Sequence, residues 1–427
     1  MSLQPAVAPR AAVDPGSFLL SGTVLTDGTV LEDAVVAVSE GRISYAGPRT
    51  GFDPRTLPGL EDVELPPGSM ILPGLVDLHC HGAAGGDFPG GDLLSARSAV
   101  EFLHASGTTT LLASLVTAPR EDLLRGAETL RPLSEEGLIA GIHAEGPFLS
   151  HVRCGAQDPR FLLEPDLHLL RDLVESAGGY LRTMTYAPEL PGAAALVQAL
   201  VDLGVTPSLG HTNADASTTA ASLTQAANLL AASTLGSDAR PTVTHLFNGM
   251  PSLHHRDPGP VAACLRMAAA GTAAVELVAD RVHLHPDTVR MVFALVGGDN
   301  VILVTDSMAA TGLPDGDYDL GPAGVCVSGG EARLRSNGAL AGGTATLLDV
   351  VRRTVEAGVD AASAVVSATA VPARILGIQK EVGSLRPGLR ANILAVDRDF
   401  RPIRVFRRGL QLPRPAAAIT AATAPAS

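Results

Sequence analysis

The chain has 427 residues, 46% of them hydrophobic, with 45 glycines and 3% aromatics, which is enough for a large core and excludes disordered and fibrous classes. A net charge of −13 leaves no basic face for nucleic-acid phosphates. Cys80, Cys154, Cys264 and Cys326 are too scattered for a zinc finger or a disulfide framework and read as reduced thiols. The opening has no basic start followed by a long apolar core, and no run approaches the roughly 18 apolar residues of a membrane helix. A cytoplasmic protein with neither a nucleic-acid nor a membrane partner is expected.

Residues 1–16 are rich in Ala and Pro and are expected to be flexible. Short β runs at 18–20, 34–38 and 42–46, separated by Asp-Gly and Glu-Gly turns, predict antiparallel hairpins within 17–69. An apolar run from Met70 to Val76 then ends in Asp77-Leu78-His79-Cys80-His81. Residues two apart on a strand face the same way, so His79 and His81 offer two imidazoles to one point.

Four further runs have the same build: 138–145 ends in Glu145, 205–211 in His211, 241–245 in His245 and 301–306 in Asp306. Adding 108–116, 183–186 and 274–279 makes eight strands. Between and after them, 92–105, 120–136, 166–176, 193–203, 214–232, 258–270, 286–296, 345–357 and 361–376 carry apolar residues at helical spacing. Strand–helix alternation means a parallel sheet, and eight repeats predict an α/β fold, a (β/α)8 TIM barrel over 70–380. The C-terminal ends of barrel strands meet at one mouth, which would gather His79, His81, Glu145, His211, His245 and Asp306. Beyond it, β runs at 391–396 and 403–409 are expected to join 17–69, so that 17–69 and 381–412 form a small flanking β-sandwich; 413–427 is a flexible tail.

Several neutral imidazoles with a carboxylate suit Zn2+ or another borderline ion such as Fe2+, one or two per subunit, rather than calcium or magnesium. Such an ion lowers the pKa of a bound water, which points to hydrolysis, with Asp306 as the natural general base. Many two-metal barrel hydrolases bridge their ions with a modified lysine on strand 4. Here Lys380 is the only lysine and lies beyond the strands, so Glu145 is the candidate bridge.

The stretches PGLVDLHCHG (73–82), HAEGPF (143–148), GHTNA (210–214), THLFNGM (244–250), ADRVH (279–283) and Thr305-Asp306 together resemble the N-acetylglucosamine-6-phosphate deacetylases of the amidohydrolase superfamily. The resemblance implies hydrolysis of N-acetyl-D-glucosamine 6-phosphate to D-glucosamine 6-phosphate and acetate, in amino-sugar metabolism. It implies that Glu145, His211 and His245 hold the main ion, that His79 and His81 add a second bridged by Glu145, and that Asp306 is the catalytic acid/base. Substrate contacts carry over to Ala156, Gln157, Asn248, Gly249, His283 and the Leu340-Ala341-Gly342 turn, with His283 also stabilising the oxyanion. Arg256 matches a phosphate-binding arginine supplied by the neighbouring subunit, which implies a homodimer.

Gln157 stands where relatives often carry His, Arg281 replaces a common glycine and Gly249 a common alanine, while Cys154 lies in the loop after strand 3. These departures bear on substrate preference more than on reaction type. Competing readings are an amidohydrolase acting on another N-acetyl sugar or on a cyclic amide, and a metal-free interaction protein.

Overall fold

The computed structural model describes residues 16–233 and 238–413. Apart from Gly16 and Pro413, the ends expected to be flexible, 1–16 and 413–427, lie outside the described residues. Eight parallel strands follow one another in order: β1 (Val76–Asp77), β2 (Thr110–Leu115), β3 (Gly141–Glu145), β4 (Leu181–Tyr186), β5 (Thr206–Leu209), β6 (Thr242–Val243), β7 (Ala274–Leu277) and β8 (Val301–Leu303). The seam between β8 and β1 closes just past their ends, where the Asp306 N–H donates to His79 O at 2.9 Å and the His81 N–H to Ser307 O at 2.7 Å. Asp77 strengthens the closure by accepting from the Thr305 hydroxyl at 2.7 Å. The expected α/β barrel is therefore present.

Its helices are α1 (Leu93–Ala105), α2 (Arg120–Glu135), α3 (Leu167–Ser176), α4 (Ala193–Asp202), α5 (Ala216–Ala232), α6 (Gly259–Ala269), α7 (Pro286–Val296), α8 (Leu347–Glu356), α9 (Ala361–Ser367) and α10 (Ala370–Ile375). Several starts are fixed by side-chain caps at the preceding residue: Asp92, Asp166, Asp215 and Thr346 each accept from the first-turn N–H groups. The single helix expected over 361–376 is divided in two, because Thr369 leaves helical geometry at φ −137°, ψ −83°.

Both ends of the chain build the flanking β-module. Its hydrogen-bonded order is Leu410–Gln411, Pro402–Arg407, Ile393–Val396, Met70–Pro73, Phe18–Thr26, Thr29–Ser39 and Arg42–Pro48, with Glu61–Asp62 on Phe18–Thr26. Two strands separate those carrying Phe18 and Phe406, a span of roughly 14 Å in a flat sheet. Their rings nevertheless stack at 4.5 Å, so the sheet curls over on itself as a sandwich does.

One expectation needs correction here: Met70–Pro73 is not the start of the barrel's first strand. It pairs antiparallel with Ile393–Val396 and parallel with Phe18–Thr26, inside the module. Along these strands alternate residues go to different cores, Ile71, Ile393 and Phe406 to the module, Leu72, Leu394 and Val405 to the barrel. A strand buried on both faces reads as a continuous apolar run, which hides where one sheet ends and the next begins. The break is at Pro73-Gly74, where a Cβ on Gly74 would fall 2.2 Å from Thr109 Oγ1. The sequence reading also missed a three-stranded antiparallel insert, Gly316–Leu320, Ala323–Ser328 and Glu331–Leu334, which packs Leu320, Val325, Val327 and Leu334 against Met308 and Val116.

His104 on α1 is 4% exposed, and its Nε2 has no hydrogen-bond partner among the described residues. Burial, then the nearby Arg407 and Arg408, hold this imidazole well below its ordinary pKa. The native state thus keeps it neutral, while the unfolded chain protonates it below about pH 6.5. Stability is expected to fall as pH drops below that point, by up to about 1.4 kcal/mol per pH unit from this group. Urea denaturation between pH 7 and 5 should give a shallower slope for His104→Asn than for the wild type; equal slopes would contradict the assignment.

Candidate metal centre

Every strand end expected to contribute does reach the mouth. Three of the residues there, His211 (φ 45°), His245 (φ 26°) and Asp306 (φ 49°), have left-handed backbone that turns the side chain inward as the strand ends. Such geometry in non-glycine residues costs of order 1–3 kcal/mol each and persists where the surrounding fold imposes it. All six residues are nearly inaccessible, the most open, Asp306, at 9%.

They form two groups, His79 with His81 and Asp306, and Glu145 with His211 and His245. Glu145 joins them. Its Oε1 lies 2.9 Å from both His211 Nε2 and His245 Nε2, and its Oε2 lies 3.3 Å from His81 Nε2. Asp306 Oδ1 is 3.5 Å from His79 Nε2 and 3.3 Å from His81 Nε2.

Each imidazole's outer nitrogen decides what its inner one can do. His79 Nδ1 is 3.2 Å from Glu276 Oε2, His81 Nδ1 3.2 Å from Ser114 O and His211 Nδ1 2.8 Å from Arg153 O, all of them acceptors. The Nδ1 atoms therefore donate, and the Nε2 lone pairs face the mouth. Yet His79 Nε2 and His81 Nε2 are 3.0 Å apart, and His211 Nε2 and His245 Nε2 3.1 Å apart. For His79 and His81, whose outer nitrogens both face acceptors, a cation shared between the inner nitrogens removes the repulsion of two facing lone pairs. Two buried carboxylates add to the demand for positive charge. Burial pushes Glu145 and Asp306 up, but the imidazoles around them outweigh it and hold both well below the usual carboxylate range. The donor set of imidazole nitrogens and carboxylate oxygens fits a borderline divalent ion.

His283 completes the wall. Its Nδ1 donates to Asp280 Oδ2 at 2.8 Å, and its Nε2 stands 3.6 Å from Asp306 Oδ2. Burial lowers the pKa of this imidazole, but Asp280 and Asp306 prevail and raise it to about 9. Gly155, Ala156, Gln157, Asn248, Gly249, Leu320, Ala339, Leu340 and Gly342 line the rest of the cavity. Two residues expected at the site are not in this wall. Ala341 is wholly buried behind it among Met308 and Val325, and Arg256 is exposed on the loop before α6, outside the pocket of its own chain.

The sequence profile of the amidohydrolase family matches residues 70–412. The chain belongs to the amidohydrolase family. An N-acetylglucosamine-6-phosphate deacetylase of Bacillus subtilis is 32% identical over 88% of this chain and 91% of its own length. An N-acetylgalactosamine-6-phosphate deacetylase of Escherichia coli O157:H7 is 32% identical over 80% of this chain and 87% of its own. Among solved structures, a variant N-acetyl-D-glucosamine-6-phosphate deacetylase of Mycobacterium smegmatis in complex with N-acetyl-D-glucosamine 6-phosphate superposes with a TM-score of 0.84. It is 35% identical and covers 93% of this chain and 99% of that one.

Two residues that matter to this amidohydrolase's centre, Glu276 and Asp280, carry no role that the sequence alone suggested. Glu276 on β7 accepts from both His79 Nδ1 and the His245 backbone N–H, each at 3.2 Å, and so ties the two groups together from behind. A charged residue in the otherwise apolar run Ala274–Leu277 was the available signal. Asp280 fixes His283, as described above. Gln157 was expected against substrate, but its amide is engaged from within: Nε2 donates to Glu145 Oε2 at 2.5 Å and Oε1 accepts from the Thr117 N–H at 2.7 Å. Arg281 has φ +67°, a conformation that favours glycine, and its guanidinium is held 2.7 Å from Glu356.

Removing a carboxylate that orients a metal-binding imidazole typically costs ten- to a hundredfold in metal affinity. Glu276→Gln is expected to weaken zinc binding by about that factor, measured by competition with a chromophoric chelator. Unchanged affinity would mean that Glu276 does not support the centre.

Proposed function

We propose that this chain hydrolyses the acetamide of N-acetyl-D-glucosamine 6-phosphate to D-glucosamine 6-phosphate and acetate. The observation that carries the reading is the pair of metal-competent triads joined by Glu145 beside the Asp306–His283 pair. Glu145, His211 and His245 would hold one divalent ion, and His79, His81 and Asp306 a second, with zinc the preferred occupant and Fe2+ the alternative. Such ions supply Lewis acidity for the acetyl carbonyl and acidify water.

The protein's own groups manage the protons. Asp306, an anion at neutral pH, accepts a proton from the attacking water as its oxygen bonds to the acetyl carbon. His283, held by Asp280 and protonated at neutral pH, donates a hydrogen bond to the developing oxyanion. The C–N bond then breaks and Asp306 returns its proton to the leaving amine, so that atoms and charge balance. Asn248, Gly249, Ala156 and Leu340-Gly342 would position the sugar, with Gln157 acting on Glu145 from the same wall. Arg256 would clasp the phosphate from a second copy of the chain, which fits its exposed place outside its own pocket and makes the active unit a homodimer. The four unpaired thiols, together with the absence among the described residues of any helix long and apolar enough to cross a membrane, favour a cytoplasmic enzyme.

The deciding assay is acetate release from four substrates: N-acetylglucosamine 6-phosphate, its galactosamine epimer, unphosphorylated N-acetylglucosamine and a cyclic ureide. The first should be turned over fastest, with kcat/KM at least about thirtyfold above the unphosphorylated sugar if a charge pair holds the phosphate. Preference for the galactosamine epimer or the ureide would overturn the substrate assignment. Equal rates with and without phosphate would overturn the role of Arg256.

A further inference from the structure

A second cavity, of about 130 Å3, lies at the opposite end of the barrel from the metal centre. It opens between the N-terminal starts of β2 and β3, the turn after α2 and the β-module, and its wall includes three arginines, Arg390, Arg407 and Arg408, against one carboxylate, Glu381. Its charge is unbalanced. Arg390 donates to Glu381 Oε2 at 3.0 Å, and Arg42 lies 3.6 Å from the same oxygen, so that carboxylate is already engaged. Arg407 and Arg408 form no ion pair among the described residues. Their hydrogen bonds go to backbone carbonyls: Arg407 Nε to Thr109 O at 3.1 Å, Arg407 Nη2 to Gly137 O at 2.5 Å and Arg408 Nη2 to Gly137 O at 3.0 Å.

Two further facts point the same way. Burial, with Arg408 and Arg390 close by, pushes the half-buried Arg407 guanidinium down to about 10, and no acid offsets this. The same two cations, Arg407 and Arg408, help hold His104 neutral behind the wall. Arg390 and Arg407 are half-buried beside the exposed Arg408, and like charges held this way repel one another at a cost unless an anion joins them. Among the described residues no hydrogen bond engages Arg407 Nη1, either Nη of Arg390, or the Nε and Nη1 of Arg408, and none of these atoms is sealed off from solvent without a partner. They remain free to meet a ligand in a space well above the 10–15 Å3 that one water needs.

We propose that this cavity is an anion site that takes a small tetrahedral oxyanion of the phosphate class, clasped by Arg390, Arg407 and Arg408 and clamping the β-module to the barrel floor. The site is independent of the chemistry at the mouth. Its donors come from the module, on strands Ile393–Val396 and Pro402–Arg407 and their flanks, while the carbonyls it faces belong to the barrel. An anion there would raise the stability of the whole chain by mass action.

The test is a phosphate titration of the full-length metal-loaded protein, read by isothermal calorimetry and by the thermal midpoint. Comparison is with Arg408→Gln and, in case that variant folds poorly, Arg390→Gln. Each variant is expected to weaken one class of bound phosphate by at least about tenfold, the loss of one charge-assisted hydrogen bond, and to lose most of the phosphate-dependent rise in midpoint. Phosphate bound at the mouth is untouched by these substitutions. Binding and midpoint shifts the same in all three proteins, or no phosphate bound by the wild type at 20 mM, would overturn the proposal.

Discussion

Asp306→Asn should lower kcat by about 10³–10⁴-fold while leaving the affinity for substrate within a few-fold. The argument is electrostatic and geometric. The carboxyl is buried yet held anionic by His79, His283 and His81, so it is ready to accept a proton. Asparagine keeps the shape and a ligand oxygen but cannot carry a proton between water and amine. Because Glu145, His211 and His245 form a group of their own, one ion per chain should be retained in the variant. Steady-state kinetics with metal analysis on the same sample checks both halves. A kcat within tenfold of the wild type would remove Asp306 from the proton path.

Glu145→Gln is expected to do more, by dismantling the centre. Glu145 is the carboxylate whose oxygens face the inner nitrogens of both triads, through Oε1 to His211 and His245 and through Oε2 to His81. Without its charge, four Nε2 atoms converge with a single carboxylate left to balance two ions. The amide also presents a donor to imidazole lone pairs. Metal affinity should fall by more than about a hundredfold, beyond the range that outer-shell changes produce, and activity should fall with it. Elemental analysis after dialysis against dilute chelator measures this directly. Two retained ions would show that the triads do not depend on a shared carboxylate.

How far the sequence could be read follows from where its signals are local. Helix starts carry their own caps, and periodicity placed the helices to within a few residues of where they stand. Strand ends were legible because His79, His81, Glu145, His211, His245 and Asp306 each terminate an apolar run, and parallel topology does the rest. What failed was non-local. Whether Met70–Pro73 belongs to the module or the barrel depends on its neighbours, Ile393–Val396 and Phe18–Thr26, and apolar content on both faces hides that choice. His143 and Glu145 share a strand face, yet Glu145 joins the metal-competent groups while His143 only packs its ring edge-on against His79, centroids 4.5 Å apart. His143 lies one layer deeper, with both nitrogens satisfied at 2.9 Å by Ser114 and Thr185. Asp280 and the inner role of Gln157 were beyond reach because they act through other side chains, and Glu276 showed only as a charge within an apolar run. Only the folded distances reveal which imidazole or carboxylate each one holds.

The central claim is that the two triads grip divalent ions across Glu145. Crystals of the full-length protein grown with zinc, with anomalous scattering recorded on both sides of the zinc edge, test it without recourse to activity. The account predicts one strong peak among Glu145, His211 and His245 and a second among His79, His81 and Asp306. A mouth with no anomalous peak, or zinc bound away from these six side chains, would contradict it.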